Sequence, residues 1–340
     1  MHILVCSSHP HLPETRGGLQ TSTDDLCHAL SARGYGVTLL CGTDKSDCRE
    51  VLSGVSIVRA QHPDHQLAPL ARDVNAALVL IQSGRSVANL LADAVETGRP
   101  TAVYLHNVEL HRIGGILPPD PRILYFANSR FTAERWWNFF GIQCVVLPPV
   151  IRGDRYRGTS SGDRILFVNP IPEKGLERVM RLAAANPDLP FVIVESWTTD
   201  LDWRRWLFQR FGALANVEWR VATDDMPALY ANSRILLMPS VWEEAFGRTV
   251  IEAQLSGVPC ITSRRGGLPE AVGEGGVILD LDAADSDWSS ALRQLYFDVA
   301  HWARLSAAAL ANAAHRLSLG EQALIGALEH IHAHVARCRV

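Results

Sequence analysis

No stretch of the 340-residue chain approaches the ~18 uninterrupted apolar residues needed to cross a bilayer, so a membrane-spanning helix is not expected. An excess of positive charge is also missing. Lys plus Arg total 32 against 36 Asp plus Glu, a formal net charge of −4, which disfavours nucleic acid held by bulk charge as a partner. The seven cysteines (Cys6, Cys27, Cys41, Cys48, Cys144, Cys260, Cys338) are scattered, with no C-x-x-C pair and no histidine spaced to complete a zinc site. They read as reduced thiols of a cytoplasmic protein. The opening "MHILVCSSHPHLP" lacks a basic leader and meets prolines and histidines after a short apolar run, so a strand is expected there rather than a signal segment. Neither G-x-G-x-x-G after an early strand nor a P-loop occurs, which removes the main support for a dinucleotide dehydrogenase or a P-loop nucleotidase. No Asp-x-Asp cluster suited to Mg²⁺ is recognised, and neither metal nor cofactor is expected.

What the chain does have is rhythm. "HILVCSS", "GVTLLCG", "VSIVRA", "ALVLIQS", "TAVYLHN", "RILYFANS" and "CVVLPPV" read as strands. They are mostly apolar throughout rather than alternating, as expected of parallel strands covered on both faces. Between the first two, "GLQTSTDDLCHALSARG" puts Leu19, Leu26, Ala29 and Leu30 near one helical face and stops at Gly34. Around residues 151–163 "IRGDRYRGTSSGD" loses its apolar residues and reads as a linker. The rhythm restarts with "RILFVNP", "PFVIVES", "NVEWRV", "RILLMPS", "PCITSR" and "GVILD", then gives way to Ala-, Leu- and His-rich helix. The expected fold is therefore α/β with two tandem doubly wound Rossmann-like domains, residues 1–150 and 164–320, facing across a cleft. A helix over 321–340 is expected to pack back towards the first domain. Ligands of such sheets lie at the carboxyl ends of the strands.

The most informative stretch is "MPSVWEEAFGRTVIEAQLSGVPCITSRRGGLPEAVGEGG". A strand runs into a loop holding Glu243, Glu244, Phe246 and Gly247, and a helix from about Arg248 ends near Gly257. Glutamates in so apolar a setting are ordinarily solvated charges at a helix edge. Yet Glu244 precedes the helix and Glu252 lies in its second turn, so both can look above the strand ends, where amides near Gly247, Arg248 and Thr249 would seat an anion.

Glu244 and Glu252 with Phe246-Gly247 between them and "SGVPCITSRRGGLPE" after them resemble the donor site of retaining glycosyltransferases of family 4, which have the GT-B fold. Further segments agree in order: "RGGLQTSTDDLCHALSARGYGVTLL", "LHN", "FANSRFTAERWWNFFG", "PEKG" and "DDMPALYANSRILLMPS". The resemblance covers nearly the whole chain. It implies that Glu252 holds the nucleotide ribose hydroxyls and that Glu244, beside Phe246 and Gly247, faces the donor sugar; carboxylates grip hydroxyls well. Gly17 and Gly18 would lie against the donor diphosphate at a helix start, and Lys174 would neutralise the leaving phosphates. His106 would sit near the transferred sugar, with Asn128, Ser129, Arg130 and Asn169 as cleft-lining candidates. Relatives commonly read Gly-Arg-x-x-x-x-Lys-Gly across the turn that contains Lys174, whereas "FVNPIPEKG" has Asn169 and Pro170 instead, so one cation for the diphosphate is missing. Arg248 is a candidate replacement, the plainer reading being a surface pair with Glu243 or Glu244.

The activity implied is metal-independent transfer of a hexosyl unit, with retention, from a nucleotide-diphosphate sugar to a hydroxyl acceptor. UDP-sugar is the first expectation and GDP-sugar the second; a saccharide, a lipid-linked saccharide or a natural product would be the acceptor. A cytoplasmic location is expected, with peripheral contact at the inner membrane face left open. Two alternatives stand beside this: another GT-B enzyme such as a sugar-nucleotide epimerase or an α-glucan phosphorylase, or a binding subunit that has lost turnover. A phosphorylase would be far longer and would need a pyridoxal-phosphate lysine motif that is absent.

Overall fold

The computed structural model describes residues 1–195, 201–211, 214–223 and 225–338. The chain divides into two compact units, Met1–Ile151 with Leu319–Val340, and Arg152–Ser318. The first is built from β1 (His2–Pro10), α1 (Gly18–Ala32), β2 (Gly36–Gly42), β3 (Cys48–Leu52), β4 (Val55–Ala60), α2 (Pro63–Asp73) and β5 (Leu78–Gln82). It continues with α3 (Val87–Glu96), β6 (Thr101–Leu105), β7 (Ile123–Ala127), α4 (Arg130–Phe140) and β8 (Cys144–Val146). Its eight strands run in the order β3-β4-β2-β1-β5-β6-β7-β8 and are parallel except β3, which pairs antiparallel with β4. β1 joins the two winding directions: β2 pairs with it in register His2 to Gly36, and β5 in register Ile3 to Leu78. Every residue of β5 and β6 is buried, which is why these runs are apolar without alternation.

All seven strand readings in this unit have their counterparts. The eighth strand, β3, was not foreseen because "CREVL" is mostly exposed and carries Arg49 and Glu50. Such charge is how an edge strand avoids pairing with another chain, and it hides the apolar signal.

The second unit contains β9 (Arg164–Val168), α5 (Leu176–Ala185), β10 (Phe191–Val194), α6 (Leu201–Phe211), β11 (Val217–Arg220), α7 (Met226–Ala231) and β12 (Ser233–Met238). After these come α8 (Arg248–Leu255), β13 (Cys260–Ser263), α9 (Leu268–Val272), β14 (Gly276–Leu279) and α10 (Asp285–Phe297). The six strands are all parallel, in the order β11-β10-β9-β12-β13-β14. Ser196, the last residue read into "PFVIVES", lies outside the described residues.

The segment read as a linker is tied to the second unit. Ser160 N donates to Ser256 O at 3.0 Å, Ser161 N to Ala231 O at 3.0 Å, and the Ser256 hydroxyl to Tyr156 O at 2.7 Å. Its one aromatic side chain, Tyr156, is buried. The last helix, α11 (Val299–Arg337), contributes Leu324, Ala327, Leu328, Ile331 and Val335 to a core of the first unit with Ile3, Val5, Leu39 and Leu78. Residues 339 and 340 of the helix expected over 321–340 lie outside the described residues. No helix among the described residues is long and apolar enough to cross a membrane.

Candidate functional site

In the second unit the winding reverses between β9 and β12, adjacent strands whose following elements leave in opposite directions. That is the switch point at which open α/β sheets hold ligands. The turn after β9 and the loop after β12 meet there. Gly175 closes the first turn at φ 85°, where an added Cβ would lie 2.1 Å from Pro239 O, so only glycine fits. The carbonyl of Glu173 accepts from Val241 N at 2.9 Å and Trp242 N at 3.1 Å, fastening the two segments together.

This knitting places Lys174 against Glu244. The Lys174 ammonium donates to both carboxylate oxygens, at 2.6 and 2.7 Å. Ser240 Oγ and Trp242 Nε1 donate to the same carboxylate at 2.6 and 2.9 Å. Lys174 Nζ also lies 4.7 Å from the centre of the Trp242 ring, a cation–π contact. Glu244 is 8% exposed, so it is not the solvated charge of the plainer reading. Burial pushes its carboxyl up, but Lys174 and the Ser240 and Trp242 donors more than cancel this and leave it below its usual range. From the other side, Gly267 N donates to Glu244 O at 2.6 Å, and Gly266, at φ 58°, packs where a Cβ would come within 2.2 Å of that oxygen. The "RRGG" turn thus braces the loop.

Gly247, φ 97°, precedes α8, which has no side-chain cap and no acidic residue in its first turn. The first amides of α8 lie where the sequence reading expects an anion seat, near Arg248 and Thr249, and Phe246 beside them is buried. Arg248 is not at the surface. It is buried, and its Nε donates to Glu252 Oε1 one turn along at 2.5 Å. Tyr230 OH donates to the other oxygen at 2.8 Å. Burial first, and then the adjacent Glu252 charge, hold the Tyr230 hydroxyl well above its usual range, so it remains a proton donor. Tyr156 packs edge-on against Tyr230 with ring centres 6.3 Å apart.

Asn169 is buried at the end of β9 with φ 67°, a left-handed conformation that asparagine tolerates better than arginine would. Asp-x-Asp occurs at Asp200 and Asp202, at Asp280 and Asp282, and at Asp285 and Asp287, but Asp280 pairs with Arg264 at 2.7 Å and Asp285 with Arg181 at 2.6 Å. Asp200 lies outside the described residues, among which the one metal-ligating group is His62, Asp64 and His65.

In the first unit, β1 and β5 flank the corresponding reversal. Gly17 is extended at φ 173°, and Gly18 opens α1 with no heavy atom within 4 Å of where a Cβ would stand. A backbone so bare is open to close approach, and α1 has no side-chain cap. His106 follows β6. Its backbone N donates to Ser83 Oγ at 2.7 Å, its Nε2 lies 2.6 Å from Gln82 Oε1, and its carbonyl accepts from Asn128 Nδ2 at 3.2 Å. Burial pulls the ring down to about 3, so it is neutral near pH 7. Ser129 is fully buried and caps α4, its Oγ accepting from Thr132 N at 3.0 Å. Its side chain is committed there. Arg130, the first residue of that helix, is exposed.

Within the second unit the structure thus joins Lys174 to Glu244 and Arg248 to Glu252, with Asn169, Phe246, Gly247 and Thr249 in the same turns. Within the first it joins His106 to Asn128. Sequence reading missed Ser240, Trp242, Tyr230, Tyr156 and Gln82. "SVWEE" and "ALYANS" contained three of them without any periodic signal.

Residues 160–311 match the family model for glycosyl transferases group 1. Over 126 residues the chain is 31% identical to a D-inositol 3-phosphate glycosyltransferase of Paenarthrobacter aurescens, a match covering 36% of this chain and 30% of that protein. The chain spans less than a third of the length of the curated relatives it matches. In fold it is similar to sucrose-phosphate synthase from Thermosynechococcus elongatus, with TM-score 0.82, 15% identity, and coverage of 99% of this chain and 100% of that one. It is also similar to Anabaena HepE in complex with UDP, with TM-score 0.77, 17% identity, and coverage of 97% and 100%. The α/β fold with two doubly wound Rossmann-like domains is the GT-B fold these structures share.

Proposed function

From a chain that carries a glycosyl transferases group 1 domain over residues 160–311, we propose that the protein moves a hexosyl unit from a nucleotide-diphosphate sugar to a hydroxyl acceptor, with retention and without a metal. A UDP-sugar is the first choice of donor, since the similar HepE structures hold UDP and UDP-glucose. The observation that carries the reading is the buried Lys174–Glu244 pair at the switch point of the second unit, backed by Arg248, Glu252 and Tyr230.

The pair is a cation and an acceptor held in store. A diphosphate competes for the Lys174 ammonium, and the freed Glu244 carboxylate accepts hydrogen bonds from sugar hydroxyls. Glu252, held in place by Tyr230 and Arg248, takes the ribose hydroxyls, and the amides that open α8 add to the anion seat. As the bond between C1 and the phosphate oxygen breaks, its electron pair goes to the diphosphate. Lys174 stabilises that charge. The acceptor oxygen bonds to C1 from the same face and its proton passes to the departing phosphate oxygen, so the protein supplies position and charge rather than a nucleophile. In the first unit, Gly17 and Gly18 offer backbone to phosphate, and neutral His106 offers a ring nitrogen to a sugar hydroxyl.

Incubation with UDP-, GDP- and ADP-hexoses tests the class of activity. Slow release of nucleoside diphosphate from one donor is expected. Isomerisation without release would indicate an epimerase, and a raised melting temperature with an intact donor a binding subunit.

A further inference from the structure

β5 and β6 lie side by side, Gln82 opposite Tyr104 in their register, and His106 is two residues further along. His106 is restrained at several points. Its backbone is pinned by Ser83 Oγ at 2.7 Å and Asn128 Nδ2 at 3.2 Å, and its ring packs on Tyr104 with centres 3.9 Å apart. At the ring's far edge Nε2 meets Gln82 Oε1 at 2.6 Å. Among the described residues Nδ1 has no hydrogen-bond partner.

Gln82 is 1% exposed, and its amide Nε2 finds no acceptor among the described residues. Burying an unpaired amide donor is costly, so an arrangement that keeps it needs a reason. The reason is visible on the other side of the same amide. Its oxygen is aimed at His106 and also receives the Thr23 hydroxyl of α1 at 3.4 Å. A carboxylate at position 82 would favour an imidazolium; a neutral amide oxygen holds one N–H without adding a charge.

We propose that Gln82 is a positioning residue that fixes His106 as the Nε2–H tautomer, so that the substrate meets the ring only through the Nδ1 lone pair, an acceptor for a hydroxyl proton. The proposal rests on the reading of His106 as a residue that faces the transferred sugar. The chemical class of the group recognised is a hydroxyl donor. A phosphate oxygen, itself an acceptor, would be repelled by that lone pair.

Long-range ¹⁵N–¹H spectra of the full chain at pH 7, without substrate, provide the test. His106 should show a protonated Nε2 and an unprotonated Nδ1. A protonated Nδ1, or rapid mixing of tautomers, in the wild type would overturn the proposal. Gln82→Leu should mix the tautomers and lower kcat about 10- to 100-fold while the donor KM stays within about 2-fold, as expected when a reacting group is misplaced. Thr23→Val, which removes only the outer partner of the amide, should keep the wild-type tautomer. A Gln82→Leu protein with the wild-type tautomer and wild-type kcat would refute the role. If that variant does not fold, the wild-type spectrum alone decides. The spectra need no turnover, so a failure of the glycosyl-transfer reading would be seen in the donor assay and not in the tautomer.

Discussion

Replacing Lys174 with methionine should destabilise the protein in a pH-dependent way. With N–O distances of 2.6 and 2.7 Å, the pair is worth about 6 kcal/mol of bare attraction at an effective dielectric constant near 20. Most of that offsets desolvation, and removing one partner of a buried pair typically costs about 3–5 kcal/mol. Glu244 would keep its Ser240 and Trp242 donors, which places the loss towards the lower end, about 3 kcal/mol. For a unit of this size that corresponds to a melting temperature lower by about 6–12 °C near pH 7.5. In the wild type the Glu244 carboxyl sits below its usual range, so its contribution is present above the unfolded pKa and is lost as pH falls through the folded value. Without Lys174, burial dominates and the carboxyl shifts up, so the penalty is full at neutral pH and fades as the group takes up a proton. Denaturant melts at pH 7.5 and pH 4 should therefore show a wide gap between variant and wild type that narrows in acid. A variant as stable as wild type at pH 7.5, or a gap that stays constant with pH, would refute the claim that the pair governs this loop.

Glu252→Gln should weaken binding of free UDP about 10-fold or more in calorimetry, whereas Glu244→Gln should leave that affinity near wild type and mainly lower turnover. Arg248→Ala should act through Glu252: a double-mutant cycle of Arg248→Ala with Glu252→Ala should give a coupling of about 1–3 kcal/mol in nucleotide affinity, and simple additivity would return Arg248 to the diphosphate. Gly175→Ala should cost at least about 1–3 kcal/mol in stability, because its left-handed backbone and the nearby Pro239 carbonyl leave no room for a methyl group. Unchanged melting would show that the turn can shift.

β1, β5 and β12 were legible because their central residues are buried on both faces, so that "ILVC", "LVLI" and "ILLM" carry an apolar signal without alternation. β3 was not, because an edge strand hides its apolar signal behind charge. The positions of Glu244 and Glu252 were legible from their spacing and their neighbours. Their partners were not: Lys174 and Glu244 are 70 residues apart, and Tyr230 and Glu252 are 22 apart, with only the sheet order bringing them together. Arg248 shows the same limit from close range. The sequence suggested the diphosphate, Glu243 and Glu244 as its partners, and did not suggest Glu252, four residues on, which the helix turn brings to its Nε. Tyr156 stood in a stretch that looked like a linker because glycine, serine and charge outnumber the one aromatic residue that is buried.

The central claim is that this chain breaks the bond between a nucleotide diphosphate and a hexose with retention. Following the anomeric proton by NMR during slow hydrolysis of an α-linked donor tests it most directly. The account predicts release of nucleoside diphosphate with the α-hexose formed first, before mutarotation, at a rate that falls in Glu244→Gln. Initial release of the β-hexose, or an intact donor after prolonged incubation with folded protein across the UDP-, GDP- and ADP-hexoses, would contradict it.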